Sequence, residues 1–297
     1  MLQHNGILYL ILAILSSASM TLALRFFQKT DGNRYGILLG NYITCIILAF
    51  VMLKPKVLFP EGVSMTLLCG VTDGVIFVVS LVLMQTNIRI NGTVLTSAFS
   101  RLGLLVPLAL GIAVFAEKPD GYQLFGIVLV ILALLILNLF GNEAEKQGEN
   151  TVRTEEKPRF LLLFALLFFY GCGDAMSKVF ERAGSRGQDA LFFFYVFLTA
   201  GILCAILTVA EKKRTGKPVL VRDLAAGTAV GIPNYFASSL LLKALTKLPA
   251  FFVYPCASTG AILVVTLFGT LLFREKITKG KWAALGVIAA AIIFLNI

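Results

Sequence analysis

Phe115-Ala116-Glu117-Lys118 runs into one apolar stretch, and Phe273-Arg274-Glu275-Lys276 runs into another, 158 residues further on. Working outward from these two junctions, the chain reads as ten apolar segments in two sets of five. The first set covers residues 6–26, 36–53, 64–86, 92–116 and 120–140. The second covers 160–180, 190–210, 223–243, 249–273 and 279–297. The same offset lays Thr96, Ser100 and Glu117 onto Tyr254, Ser258 and Glu275. Glycines four apart recur at matching places, Gly70 with Gly74 and Gly227 with Gly231, a spacing that lets helix backbones approach closely in lipid. A repeated unit with an odd number of spans enters the membrane upside down in its second copy.

Composition supports this reading. Of 297 residues, 58% are hydrophobic and 14% charged, and mean hydropathy is +0.88. Soluble domains are about 45–50% apolar and about 25% charged. Each segment comes close to the roughly 20 apolar residues needed to cross a bilayer core. The segments lack the alternating dyad of a membrane barrel strand. The fold class expected is therefore an all-α membrane protein: ten transmembrane helices as two inverted five-helix repeats around a central cavity. The repeats occupy residues 1–141 and 160–297, joined by a polar linker at 142–159. The first span starts near Ile7 without a cationic flank, so it is expected to remain as a helix of the mature protein.

Several functional classes drop out. The net charge of +10 comes from Lys and Arg at span ends, where they meet headgroups, and not from a nucleic-acid-binding face. The five cysteines lie inside apolar spans with no C-x-x-C pairing, and His4 is the only histidine. No metal site, cofactor or His-dependent catalysis is expected. A lipid-modifying enzyme would need clustered carboxylates such as D-D-x-x-D, and none occurs. Inverted repeats are how many secondary transporters place a binding site near the midplane. A transporter is the favoured class, and a structural or receptor-like membrane subunit is the rival.

Three charges sit well inside spans: Asp73, Arg101 and Asp174. Each costs about 2.5–3.5 kcal/mol at a helix centre on insertion scales, so they are expected to face the bundle interior. Around Arg101, Thr93 and Ser97 follow at four-residue spacing, with Thr96 and Ser100 alongside. Asn234, Ser238, Tyr254 and Ser258 supply polar groups in the eighth and ninth spans, and Tyr170 and Ser177 accompany Asp174 in the sixth. Two readings fit the hydroxyls, namely interhelical glue and the lining of a solute path. Asp73 and Arg101 fit a static salt bridge or one that opens to admit a zwitterion or anion. Asp174 fits a proton acceptor, a site for a substrate ammonium or a helix contact. Pro107, Pro233 and Pro255 each free a backbone carbonyl, which must face protein or a wet cavity. Glu117 and Glu275 suit the N-terminus of the helix that follows each, with Lys118 or Lys276 neutralising them.

The chain resembles the drug/metabolite transporter superfamily in its ten-span, EamA-like branch. The residues carrying the likeness are Gly171-Cys172-Gly173-Asp174-Ala175-Met176-Ser177-Lys178, the spans running into Glu117 and Glu275, and Gly126 and Gly286 in the closing spans. Span one departs from it, with Ser16-Ser17-Ala18-Ser19 where relatives usually show Trp-Gly. The resemblance implies that spans 1–4 and 6–9 surround the cavity while 5 and 10 pack outside. It implies export or exchange of amino acids, other small metabolites or toxic organic cations, with a coupling proton or ion, in the inner membrane. It also implies cytoplasmic termini, whereas Lys and Arg are more numerous in the loops this orientation places outside, against the positive-inside rule. Membrane lipids and a small-molecule solute are the partners expected, nucleic acid is not, and the sequence leaves the oligomeric state open, a monomer being plausible.

Overall fold

A computed structural model describes residues 2–27, 33, 35–54, 57–140, 158–273 and 279–296. Among these the secondary structure is helical: α1 (Leu2–Phe27), α2 (Gly36–Met52), α3 (Val63–Leu102), α4 (Leu105–Ala113), α5 (Gly121–Phe140), α6 (Phe160–Ala183), α7 (Asp189–Thr215), α8 (Val221–Leu245), α9 (Ala250–Phe273) and α10 (Lys279–Asn296). Six stretches are long and apolar enough to cross a membrane: Asn5–Phe27, Val63–Gly92, Leu95–Ala113, Phe160–Ala183, Asp189–Thr215 and Ala250–Thr270. Gly36–Met52, Gly121–Leu137 and Gly280–Leu295 are shorter apolar helices. Large apolar side chains stand exposed along α1 (Leu8, Ile11, Leu15) and α5 (Leu124, Phe125, Val128). Water would penalise such faces, and lipid does not.

The fourth span departs from the single helix expected over 92–116. α3 runs through Gly92, whose φ of 79° and ψ of 164° break the helix there and separate the third span from the fourth. A second break falls between Leu102 and Leu105. Pro107 has no N–H to give the Gly103 carbonyl, which instead accepts from the Val106 amide at 2.9 Å. The interruption therefore lies in the turn before the proline, where the missing bond and the ring's steric demand fall together. Regular helix ends at Ala113, and Ala116 takes a positive φ of 54°.

The chain divides into two compact units, Met1–Val78 with Met176–Lys247, and Val79–Ala175 with Leu248–Ile297. Each draws helices from both sequence halves. In the first unit both glycine pairs sit at close helix approaches. A Cβ on Gly70 would come 2.6 Å from Tyr195 Cβ, and one on Gly74 would come 2.6 Å from the Val196 carbonyl. Thus α3 lies directly on α7. Gly227 leaves no room for a Cβ against the Ile37 carbonyl, and one on Gly231 would come 2.7 Å from the Asn41 carbonyl. Thus α8 lies directly on α2. Ile37, Ala226 and Val230 form a buried cluster there with Met20, Ala23, Leu24 and Phe27 of α1 packed against it. The second unit pairs α5 with α10 and α4 with α9.

Candidate functional site

In the second unit a backbone-to-backbone contact sets the geometry. Gly103 and Gly171 abut, with no space for a Cβ on Gly171 against the Gly103 carbonyl. This draws the end of α3, bearing Arg101, onto the middle of α6. Tyr170 and Asp174 are one turn apart on α6, and Tyr170 lies within electrostatic reach of both Asp174 and Arg101. From α9, the buried Tyr254 hydroxyl donates to the Asp174 backbone carbonyl at 2.7 Å. α3, α6 and α9 therefore bring Arg101, Tyr170, Asp174 and Tyr254 into one region of otherwise apolar spans. Such a cluster offers an anion-binding fork on Arg101 and a cation-binding carboxylate on Asp174.

The stripe beside Arg101 splits into two rows. Thr96 and Ser100 are buried and bond back to their own helix, Thr96 to the Gly92 carbonyl at 2.7 Å and Ser100 to that of Ser97 at 3.0 Å. Ser97 and Arg101 are partly exposed, and they form the open edge. The side chain of Thr93 lies outside the described residues, as do Glu275 and linker residues 142–157. Ser258 is partly exposed one turn beyond Tyr254, and Ser238 is partly exposed on α8. Pro255 is buried, and its carbonyl accepts from the Thr259 hydroxyl at 2.6 Å.

Glu117 corrects an expectation. Its carboxylate does not serve the helix that follows, α5, which has its own reciprocal cap. There the Asp120 carboxylate accepts from the Gln123 amide at 2.9 Å, and the Gln123 side chain accepts from the Asp120 amide at 3.1 Å, a capping-box arrangement. Glu117 instead accepts from the Ala250 and Phe251 amides at 3.0 and 3.2 Å, at the start of α9. The positive φ at Ala116 turns the chain back, and the Glu117 amide bonds the Gly111 carbonyl at 3.0 Å. A Cβ on Gly111 would come 3.0 Å from the Glu117 carboxylate and 3.3 Å from Ala250 Cβ. The anion satisfies two orphan helix amides and meets the positive end of the α9 dipole. Glu117→Ala should lower stability by about 2 kcal/mol, with Glu117→Gln losing about half of that. Thermal unfolding of the purified variants in detergent measures it, and an unchanged Tm for Glu117→Ala would remove the cap.

In the first unit Asp73 is 2% exposed on α3. Asn234, expected along a solute path, gives its amide to Asn41 Oδ1 at 3.1 Å and to Cys45 Sγ at 3.7 Å. Cys45 in turn bonds the Gly231 carbonyl at 3.3 Å. This is a buried polar seam between α2 and α8. Pro233, one residue before Asn234, denies Ala229 its helical donor. Ala229 and Pro233 line an open groove of about 470 Å³ with Leu12, Leu15 and Ser16 of α1.

Two sets of residues were missed at the sequence level. Lys178, only 1% exposed, pairs with Glu181 at 3.0 Å, and Arg182 shares that carboxylate at 3.2 Å. The second set is Thr66, Ser80 and Asn87, which with the already noted Asp73 form a row on α3, each seven residues from the next and all buried. Seven residues make nearly two whole turns, so the row drifts only about 20° per step and stays on one face. The spacing was visible in the sequence, but hydroxyls and amides scattered among apolar residues carry no signal until the period is counted.

Residues 158–297 match the model of the EamA-like transporter family. An uncharacterized protein of Haemophilus influenzae is 25% identical over 296 residues, covering 96% of this chain and 94% of its own length. A solved crystal structure superposes with a TM-score of 0.77 over 99% of this chain and 98% of that one, at 11% identity, which is a likeness of fold. The similarity through residues 158–297 is thus to the EamA-like transporter family, part of the drug/metabolite transporter superfamily, and the chain is a multi-pass integral membrane protein.

Proposed function

We propose that this protein is a secondary-active carrier that exports or exchanges a small organic metabolite, such as an amino acid, by alternating access. The observation that carries the reading is the cluster of Arg101, Tyr170, Asp174 and Tyr254. Ionised groups in apolar spans are costly, and their usual use is solute or ion handling. Arg101 would hold a solute carboxylate, and Asp174 an ammonium or a coupling proton. Ser97, Ser100, Thr93, Ser238 and Ser258 would line the approach, with Asp73 as a further coupling group. The reciprocal packing of α3 on α7 and α8 on α2 supports the inverted-repeat reading, because a two-fold relation between halves exchanges those two pairs. The family resemblance favours the inner membrane with both termini cytoplasmic.

The test is counterflow in proteoliposomes loaded with unlabelled neutral amino acids, following radiolabelled L-threonine, L-leucine and L-phenylalanine, with tetraphenylphosphonium as competitor. Accumulation of an amino acid that tetraphenylphosphonium does not block is the expected result. Accumulation of the phosphonium itself would favour an exporter of hydrophobic cations, a reading that Arg101 opposes by repulsion. No accumulation of either would favour a membrane subunit without transport.

A further inference from the structure

We propose that Ser80 is a solute-contact residue, a neutral hydrogen-bonding group held open for the transported molecule. The inference rests on the transporter reading above and adds a residue to it. Ser80 lies on α3 and is 6% exposed, yet its hydroxyl has no hydrogen-bond partner among the described residues. Serines in helices usually avoid this by bonding back to the carbonyl four residues earlier. Ser19, Thr86 and Thr96 do so in this chain, at 2.8, 2.7 and 2.7 Å. Ser80 does not.

Its neighbours in the seven-residue row show what sets it apart. Thr66 donates to Gln188 Oε1 at 2.6 Å, and Asn87 gives its amide to the Leu83 and Leu162 carbonyls, both at 2.9 Å. The two ends of the row are thus occupied by protein. Ser80 stands between them, toward the middle of the apolar stretch Val63–Gly92, and carriers of this class hold their cargo near the middle of their spans. A hydroxyl both donates and accepts. It can meet a carboxylate, carbonyl, amine or hydroxyl of a solute, and it gives nothing to a purely apolar guest. The chemical class it selects is therefore a small polar solute with a hydrogen-bonding group.

A buried hydroxyl without a partner destabilises the empty protein, whereas a structural serine stabilises it, and this separates the two roles. Two variants are compared, Ser80→Ala and Ser80→Thr, the second keeping the hydroxyl. The purified Ser80→Ala protein should unfold at a Tm equal to or above that of the wild type. Its counterflow of L-threonine, L-leucine or L-phenylalanine, whichever the wild type accumulates, should fall about tenfold, the worth of one hydrogen bond. Ser80→Thr should retain most of the flux. Wild-type flux in Ser80→Ala, or a Tm several degrees lower, would overturn the assignment while leaving the carrier reading intact. Absence of flux in the wild type would overturn both.

Discussion

Arg101→Ala is expected to lower counterflow by about 100-fold, the loss of a charge-assisted interaction with a solute carboxylate, while the protein still elutes as a folded species. Arg101 ends the helical row of partly exposed positions on α3, next to the Gly103–Gly171 contact that sets its helix against α6 and within electrostatic reach of Tyr170. A guanidinium at this depth costs about 2.5–3.5 kcal/mol to insert. Replacing it removes that cost, which offsets the loss of its contacts within the protein. Arg101→Lys keeps the charge and loses the planar fork, and it should retain flux at an intermediate level. Uptake by Arg101→Ala equal to that of the wild type would take Arg101 out of the mechanism. Loss of both flux and the chromatographic peak would make it a structural residue.

The second large effect is on folding. Gly227→Leu should abolish the monodisperse species in detergent. Even the first carbon of a side chain there has no space against the Ile37 carbonyl, and it would come 2.7 Å from the Asn41 amide and from Gly40 Cα. These atoms are backbone, so no rotamer change relieves the overlap. α2 and α8 would have to separate, opening the Asn41–Asn234–Cys45 seam. Overpacking a core typically costs about 1–3 kcal/mol, and a clash between two main chains exceeds that range. Gly286→Leu is the matched control. Nothing lies within 4 Å of a Cβ at Gly286, so the longer side chain meets lipid, and the elution profile should match the wild type. Normal behaviour of Gly227→Leu would mean that α2 and α8 do not pack as described.

The helical, membrane-embedded character of the chain was legible from residue types alone, because the length and apolarity of each segment are properties of the segment. The pairing of Gly227 with Gly231 could likewise be recognised as a close-packing signal. Its partner could not, because four-residue spacing does not say which helix approaches. Arg101 and Asp174 could be picked out as costly charges. The approach of their two helices depends on Gly103 facing Gly171, two glycines that no local pattern connects. Asn234 shows the reverse case. It read as a path-lining amide, and its hydrogen-bonding capacity goes to Asn41 and Cys45 of a helix about 190 residues away in sequence.

Glu117 marks the boundary most clearly. Its sequence neighbours pointed to α5, four residues on, as the helix it would cap. Two terms decided otherwise. Asp120 and Gln123 already satisfy the start of α5, and the positive φ at Ala116 aims the carboxylate back toward Gly111 and Ala250. Local sequence thus determined where apolar helices form and that charges had to be sheltered, since those follow from bonded geometry and the energetics of transfer into lipid. Which helices touch, which amides a carboxylate reaches and which hydroxyl stays open were settled only by tertiary structure. Those outcomes depend on contacts between residues that the chain brings together from far apart.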